Sequence, residues 1–172
     1  MVVRLIASTI YGRRVGELTS FQIHLDGDKS WILFPVRKGG EQVAHPLPKA
    51  LVPLFSVPTD TISEYCLQRW FRQVCKRAEI RLPYRGGFHS IRRTVATTVK
   101  HAIKSDIDTH KFMRWAEPRE LGILAQYDQT RYEDVDKLVL DTHPVVKIWQ
   151  EITPYLLQMN SSYQGVFCDY AH

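Results

Sequence analysis

The chain has 172 residues and a mass of 20.0 kDa; 44% of its residues are hydrophobic, 24% charged and 11% aromatic. This composition predicts one globular domain with a hydrophobic core, and it excludes a disordered or low-complexity protein. The net charge of +5 is unevenly spread, because residues 1–104 carry 17 Lys and Arg against 7 Asp and Glu, whereas residues 105–172 carry 6 against 11.

The first part of the chain predicts a helix followed by a small sheet. Apolar residues recur with near-helical spacing over 2–19, and Gly12 interrupts that pattern. A short strand at 21–25, a DGD turn and the apolar run 31–36 come next. The alternation of polar and apolar residues over 41–47 is typical of the returning strand of a hairpin. These segments together predict three antiparallel strands.

The rest of the chain is predicted to be helical. Thr61 and Glu64 form a capping box, which predicts a helix from there to about Ala78. Further helices are predicted from about His89, over 105–115, 118–127 and 131–142, and as one or two short helices from 145 onward. We therefore predict an α+β, mostly helical fold with a small three-stranded antiparallel sheet over 1–144, and a C-terminal helical tail over 145–172.

The cellular setting follows from what the sequence lacks. No apolar run approaches the roughly 18 to 20 residues of a membrane span, and the N-terminus lacks the order of a secretion signal. We expect a cytoplasmic protein that does not associate with membranes. The odd cysteine count, Cys66, Cys75 and Cys168, favours reduced and mostly buried thiols, and no Cys and His set has metal-ligand spacing.

Three short motifs place reactive side chains at useful spacings. In YGRRVGEL, Arg14 and Glu17 are three residues apart, which on a helical turn lets the carboxylate hold the guanidinium. The hairpin RKGGEQVAHPLP offers Lys38 at its tip, and FHSIRRT places His89 and Arg92 at the start of a helix, where backbone N–H groups favour an anion. Two arginines, a histidine and a lysine suit a phosphodiester better than a metal ion.

In this order, the motifs resemble those of the catalytic domain of tyrosine recombinases, the lambda-type integrase family, and the resemblance covers about residues 8–140. The segment RWAEPRELGILAQY is similar to the archaeal-type integrases of that family. The resemblance implies that Arg14 and Arg92 grip the scissile phosphate and that Glu17 supports Arg14. It also implies that the indole N–H of Trp115 hydrogen-bonds the phosphate.

For the reaction itself, the resemblance implies that Lys38 protonates the departing 5′-oxygen and that His89 transfers the proton of the nucleophile. The nucleophile would be a tyrosine downstream of Trp115, which forms a covalent 3′-phosphotyrosine link without metal or nucleotide cofactor. Tyr127 fits the family's spacing better than Tyr132, although neither matches it cleanly. We name Tyr127 and keep Tyr132 as the alternative.

Double-stranded DNA is the expected partner, since a pI near 9.2 and interleaved basic and aromatic residues are typical of a nucleic-acid binder. Candidate DNA contacts are Arg69, Arg72, Lys76, Arg85 and Arg93. The resemblance also implies self-association into a tetramer on DNA, to which residues 145–172, with Trp149, Tyr155 and Phe167, could contribute. We expect the chain to lack the core-binding domain that precedes this domain in the family, and to act in association with the host nucleoid.

Three other functions stay open at this point. A DNA-binding remnant of an integrase would bind DNA with steep salt dependence but form no covalent adduct. An enzyme similar to type IB topoisomerases would relax supercoiled plasmid as a monomer. In a plain helix-turn-helix regulator, changing Lys38 or Tyr127 would do no harm.

Overall fold

A computed structural model of the chain describes residues 1–35, 42–56, 60–84, 86–115 and 130–162. Within these ranges the fold is α+β and mostly helical with one small sheet, as predicted. The helices are α1 (Val2–Tyr11), α2 (Val52–Phe55), α3 (Glu64–Arg77), α4 (Phe88–Ile103), α5 (Asp106–Met113), α6 (Tyr132–Thr142) and α7 (Pro144–Ser162), and short 3-10 turns occupy Val15–Glu17 and Lys49–Leu51. The strands are β1 (Gln22–Asp26), β2 (Lys29–Phe34) and β3 (Val43–Pro46).

The sheet confirms the predicted pair of hairpins. Its order is β1-β2-β3, all antiparallel, and the central Ile32 pairs with Ile23 on one side and His45 on the other. Gly27 has φ +54 in the turn between β1 and β2, a conformation that glycine adopts without the steric cost of a side chain. Ile32 and Phe34 point inward and are fully buried, so β2 forms the floor of the core.

The core lies between the sheet and a cluster of helices. Helix α1 contacts α4 and α7, and α4 also contacts α5 and α6. Fully buried Ile6 and Ile10 of α1 and Phe112 of α5 belong to this core. The indole N–H of Trp149 in α7 donates to Thr9 Oγ1 of α1 at 2.8 Å, so the start of the C-terminal helix is tied to its own chain.

Helix α3 begins two residues later than the capping box predicts. Ser63 is its N-cap, and the Ser63 hydroxyl accepts a hydrogen bond from Cys66 N at 3.1 Å. The prediction of Thr61 as the cap is therefore wrong, because a serine next to the helix supplies the oxygen instead. Leu67 and Phe71 are buried on the inner face of this helix, whereas Ala78 is the exposed C-cap.

The tail differs from the predicted one or two short helices. Helix α7 runs for 19 residues and continues through Pro154. Tyr155 on this helix is 68% exposed. The predicted helix at 118–127 and residue Phe167 lie outside the described residues.

Two of the three cysteines can be compared with their predicted burial. Cys75 is buried as predicted, but Cys66 is exposed, since it lies in the first turn of α3 on the outer face. Cys168 lies outside the described residues. No helix in the described part of the chain is long and apolar enough to cross a membrane.

Candidate active site

A cavity of about 600 Å³ opens where the end of α1, the start of α4 and the end of α5 meet. Four of the predicted catalytic residues and one predicted DNA contact line this cavity. The full lining is Arg14, Val15, Phe88, His89, Arg92, Arg93, Ala96, Thr97 and Trp115. Folding thus brings together side chains that lie up to 101 positions apart in the sequence.

Gly12 makes this meeting of three elements possible. It ends α1 in the left-handed conformation, with φ +57, and its N–H bonds to Ser8 O. A Cβ at this position would lie 2.8 Å from Met113 Cε and 3.0 Å from Val95 Cγ1. A side chain here would therefore force Met113 or Val95 to shift, so the close approach of α1 to α4 and α5 favours glycine.

Arg14 points into the cavity from the loop after α1. Its side chain is 65% exposed, and its backbone is extended at φ −66 and ψ 149, because it is the N-cap of the 3-10 turn. Its guanidinium approaches Glu17 no closer than 3.8 Å. The predicted grip of Glu17 on the Arg14 guanidinium is thus a distant contact, and the guanidinium is available to a ligand.

Glu17 instead holds two other groups. Its Oε2 accepts a hydrogen bond from Arg14 N at 2.7 Å, and its Oε1 accepts one from Arg13 Nη2 at 2.8 Å. Both side chains of this ion pair are buried. Glu17 therefore supports Arg14 chiefly through a hydrogen bond to its backbone N–H, and its contact with the Arg14 guanidinium at 3.8 Å is the longer one.

Arg13 is a residue that the motif comparison missed. It is 2% exposed, its Nη1 donates to Met113 O at 3.4 Å, and its Cζ lies 5.4 Å from the centre of the Phe34 ring. Burial lowers the pKa of Arg13, and Glu17 opposes that shift. The signal in the sequence is the spacing of four residues between Arg13 and Glu17, which competes with the spacing of three from Arg14.

Arg92 forms the buried back of the cavity. Its Nη1 donates to Gly12 O, and its Nη2 donates to Met113 O at 3.5 Å. Burial lowers the pKa of Arg92 to about 10, and the nearby cations Arg13 and Arg14 contribute to this. The group stays protonated at neutral pH, so it is a charged donor held by two backbone carbonyls.

Trp115 closes the cavity beside Arg92. The Arg92 Cζ lies 5.7 Å from the centre of the Trp115 ring, a distance at which a guanidinium is attracted to the face of an indole. The backbone N of Trp115 donates to His110 O at 3.0 Å, and the two rings meet edge to face. Trp115 also packs against the hydrophobic core, so the same residue belongs to the core and to the lining of the cavity.

His89 lies at the mouth of the cavity. It is the second residue of α4 and is exposed, and the N-cap of this helix is Gly87, which has no side chain that could cap the helix. The first backbone N–H groups of an α-helix lack partners within the helix, and the helix dipole makes that end positive. This end of the cavity therefore favours an anion.

Some predicted site residues are not placed by the structure. Lys38, Arg85 and Tyr127 lie outside the described residues. Tyr132, the alternative nucleophile, is the first residue of α6 and is 54% exposed. Its ring lies 4.6 Å from the Arg114 Cζ, and it is not among the described residues that line the cavity.

The predicted DNA contacts of α3 share one outer surface. Arg69, Arg72 and Lys76 are exposed and follow one another at spacings of three and four residues. We call these three residues the α3 basic face. Tyr65, four residues before Arg69, is 72% exposed on the same side.

The histidines outside the cavity show no metal-binding arrangement in the described ranges. His45 and His143 are buried, and burial lowers the pKa of each to about 4. The Nδ1 of His45 lies 3.2 Å from Asp136 Oδ2, and His143 Nδ1 accepts a hydrogen bond from Val145 N. These contacts fit structural histidines.

Comparison of the chain with protein-family models, with curated proteins and with solved structures finds no match. The arrangement of the site's own residues is therefore the basis for a functional conclusion.

Proposed function

We propose that this domain is a tyrosine-type site-specific DNA recombinase, which cuts and rejoins strands through a covalent 3′-phosphotyrosine intermediate. One observation supports the proposal above the others: Arg14, His89, Arg92 and Trp115 line the same cavity. In the sequence they belong to three separate motifs, and their convergence would be unnecessary in a plain regulator of transcription.

The charges of the cavity fit a phosphodiester. In the described part of the chain, Glu17 is the one carboxylate that acts on the guanidiniums of Arg13, Arg14 and Arg92. With Arg93, which also lines the cavity, four cations face one carboxylate, so the formal net charge around the cavity is about +3. An anion that enters the cavity relieves the repulsion between the cations, and the two non-bridging oxygens of a phosphodiester are acceptors that guanidiniums bind well.

The reaction divides between residues inside and outside the described ranges. The phenol oxygen of Tyr127 attacks phosphorus and loses its proton to His89, while the bond from phosphorus to the 5′-oxygen breaks. Lys38 gives a proton to that oxygen, which leaves as a hydroxyl, and the reverse steps rejoin the strands. Arg14 and Arg92 neutralise charge on the non-bridging oxygens, so their effect is greatest in the transition state.

The α3 basic face supplies contacts that do not depend on base sequence. Its side chains are free to reach successive phosphates along a DNA strand, and such contacts set the register of a protein on the duplex. Arg93 lines the cavity beside Arg92 and would contact a phosphate next to the scissile one. The protein is expected to act as a tetramer on DNA, as the resemblance implies.

The proposal is tested by trapping the covalent intermediate. Labelled duplexes from the DNA element that encodes the chain are nicked just 3′ of the scissile phosphate, so that the short fragment that leaves with the 5′-hydroxyl diffuses away, and they are incubated without metal. The products are then denatured and separated by size. Wild type is expected to form a denaturation-resistant adduct, Tyr127→Phe to form none, and Tyr132→Phe to behave as wild type. Arg92→Gln should slow adduct formation by about 10²–10³-fold.

Other results assign the chain differently. Loss of the adduct in Tyr132→Phe alone would name that residue as the nucleophile. DNA binding with no adduct from wild type would reject the enzymatic function and favour a DNA-binding remnant. Relaxation of supercoiled plasmid by the monomer would favour an activity of the type IB topoisomerase kind.

A further inference from the structure

The turn that ends α5 holds Arg92 from two sides. We call Met113, Arg114 and Trp115 the α5 turn. The carbonyl of Met113 accepts from Arg92 Nη2, and the ring of Trp115 lies against the same guanidinium. Any shift of this turn moves a hydrogen-bond acceptor and an aromatic face of Arg92 together.

Arg114, the middle residue of the turn, is fixed by groups from three elements. Its guanidinium forms two hydrogen bonds to Asp136 of α6, at 3.0 and 2.7 Å. It also donates to Ala44 O of β3 at 3.0 Å and to Lys111 O of α5 at 2.7 Å. Its Cζ lies 4.6 Å from the centre of the Tyr132 ring.

The ion pair between Arg114 and Asp136 is largely buried. Asp136 is 1% exposed and the side chain of Arg114 is 13% exposed, so the pair lies in a region with little screening by water. Arg114 has φ 50, in the left-handed region that favours glycine at the end of a helix. The side-chain bonds therefore hold the backbone of the turn in a conformation that an arginine rarely adopts.

We infer that Arg114 is a positioning residue for strand cleavage: its pairing with Asp136 fixes the α5 turn, which in turn places the Arg92 guanidinium against the phosphate. This inference rests on the proposed function. Arg114 does not line the cavity itself, and it acts through Met113 and Trp115. A displacement of about 1 Å in a catalytic group can lower a rate by about 10²-fold, so loosening the turn should reduce cleavage more than binding.

Two variants separate the side chain from the backbone conformation. Arg114→Gly keeps the left-handed turn and removes every bond of the guanidinium. Asp136→Asn keeps the shape and one acceptor but removes the charge. Arg131→Gln is the matched control, because Arg131 forms an exposed pair with Asp134 at 3.7 Å on the same helix end.

The measurements are the single-turnover cleavage rate at saturating nicked duplex, the Kd for that duplex and the thermal unfolding midpoint. We expect Arg114→Gly and Asp136→Asn to slow cleavage by about 10- to 100-fold, with Kd changed less than about twofold. Arg131→Gln should leave the cleavage rate and the Kd unchanged. Arg114→Lys, which keeps the charge, should restore part of the rate. Normal cleavage by Asp136→Asn in a folded protein would overturn the inference.

Two further readouts distinguish positioning from general loosening. A duplex with a neutral methylphosphonate at the scissile position has less need of a guanidinium, so the rate defect of both variants should shrink on it. The Nε–H resonance of Arg92, assigned with Arg92→Lys, should shift in both variants and not in the Arg131 control. An equal defect on both substrates, or an unmoved Arg92 resonance, would overturn the inference.

The two proposals fail in different ways. If wild type forms no adduct on any duplex, the recombinase function fails and the positioning role fails with it. If wild type forms the adduct and the two variants match it, only the positioning role is wrong.

Discussion

Replacing Glu17 by glutamine tests the buried ion pair between Glu17 and Arg13 beside the cavity. Glu17 is 5% exposed and its Oε1 lies 2.8 Å from Nη2 of the equally buried Arg13. Removal of one partner of a buried ion pair costs about 3–5 kcal/mol, because the other charge is left uncompensated. The amide keeps one acceptor oxygen, so we expect the lower end, about 3 kcal/mol of unfolding free energy. For a chain of this length that corresponds to a fall in Tm of about 6–12 °C.

The assay is urea unfolding at pH 7, followed by circular dichroism, on a complete double-mutant cycle. Glu17→Gln, Arg13→Met and the double variant are compared with wild type, and Glu151→Gln, an exposed carboxylate of α7, serves as the control. The double variant should be less destabilised than the sum of the single variants by about 1–3 kcal/mol. Additivity within about 0.5 kcal/mol would refute the pairing, and so would a Glu17→Gln loss below about 1 kcal/mol.

Three further predictions follow from burial, backbone geometry and charge. Because burial lowers the pKa values of His45 and His143 to about 4, both histidines favour the neutral form in the folded state. Stability should therefore be full above about pH 6.5 and should fall as the pH is lowered to about 4, by up to about 3 kcal/mol for each histidine. Urea unfolding across this pH range checks the prediction, with a substitution of the exposed His24, His24→Gln, as the control. Gly12→Ala should cost about 2 kcal/mol, because its Cβ would lie 2.8 Å from Met113 Cε and 3.0 Å from Val95 Cγ1, whereas Gly27→Ala, at a similar φ in open space, should cost about 1 kcal/mol in the same assay. Glutamine at all three positions of the α3 basic face should make the plot of log association constant for DNA against log salt concentration less steep by about 2.7. Fluorescence anisotropy at several salt concentrations measures this slope. An unchanged slope would mean that this face does not contact phosphates.

Much of the fold was predictable because it depends on local pattern. The alternation of residues over 41–47 gave β3, and the helical spacing before Gly12 gave α1, since periods of two and 3.6 residues follow from backbone geometry. The cap of α3 was misplaced by two residues because Thr61 and Ser63 are both good caps, and the choice depends on which oxygen reaches a free N–H.

The pairing inside the site was less predictable, and Glu17 shows why. A spacing of three residues brings side chains closest when both residues are helical, but Arg14 is an extended N-cap, so its guanidinium comes no closer than 3.8 Å to Glu17. Arg13, one residue earlier, turns inward and takes the carboxylate. The order of the motifs predicted four residues that line one cavity, Arg14, His89, Arg92 and Trp115, and the backbone conformation decides which of the two arginines faces that cavity.

Contacts between distant segments were beyond the reach of the sequence. Arg114 and Asp136 are 22 residues apart, on either side of a segment that the structure does not describe, and no periodic pattern links them. Their pairing depends on α6 packing against α5 and β3, which is a property of the assembled core.

The excess of positive charge around the cavity predicts that an anion stabilises the fold, whatever reaction the site performs. Arg13 and Arg14 contribute to the lowered pKa of Arg92, so the three guanidiniums repel one another. At a pKa of about 10, Arg92 does not relieve that repulsion by losing its proton at neutral pH. Glu17 raises the pKa of Arg92 but cannot relieve the repulsion fully, since one carboxylate faces three guanidiniums. We therefore expect an anion bound beside Arg14 and Arg92 to stabilise the fold, so inorganic phosphate should raise the Tm of wild type but not of a variant that lacks both of these arginines.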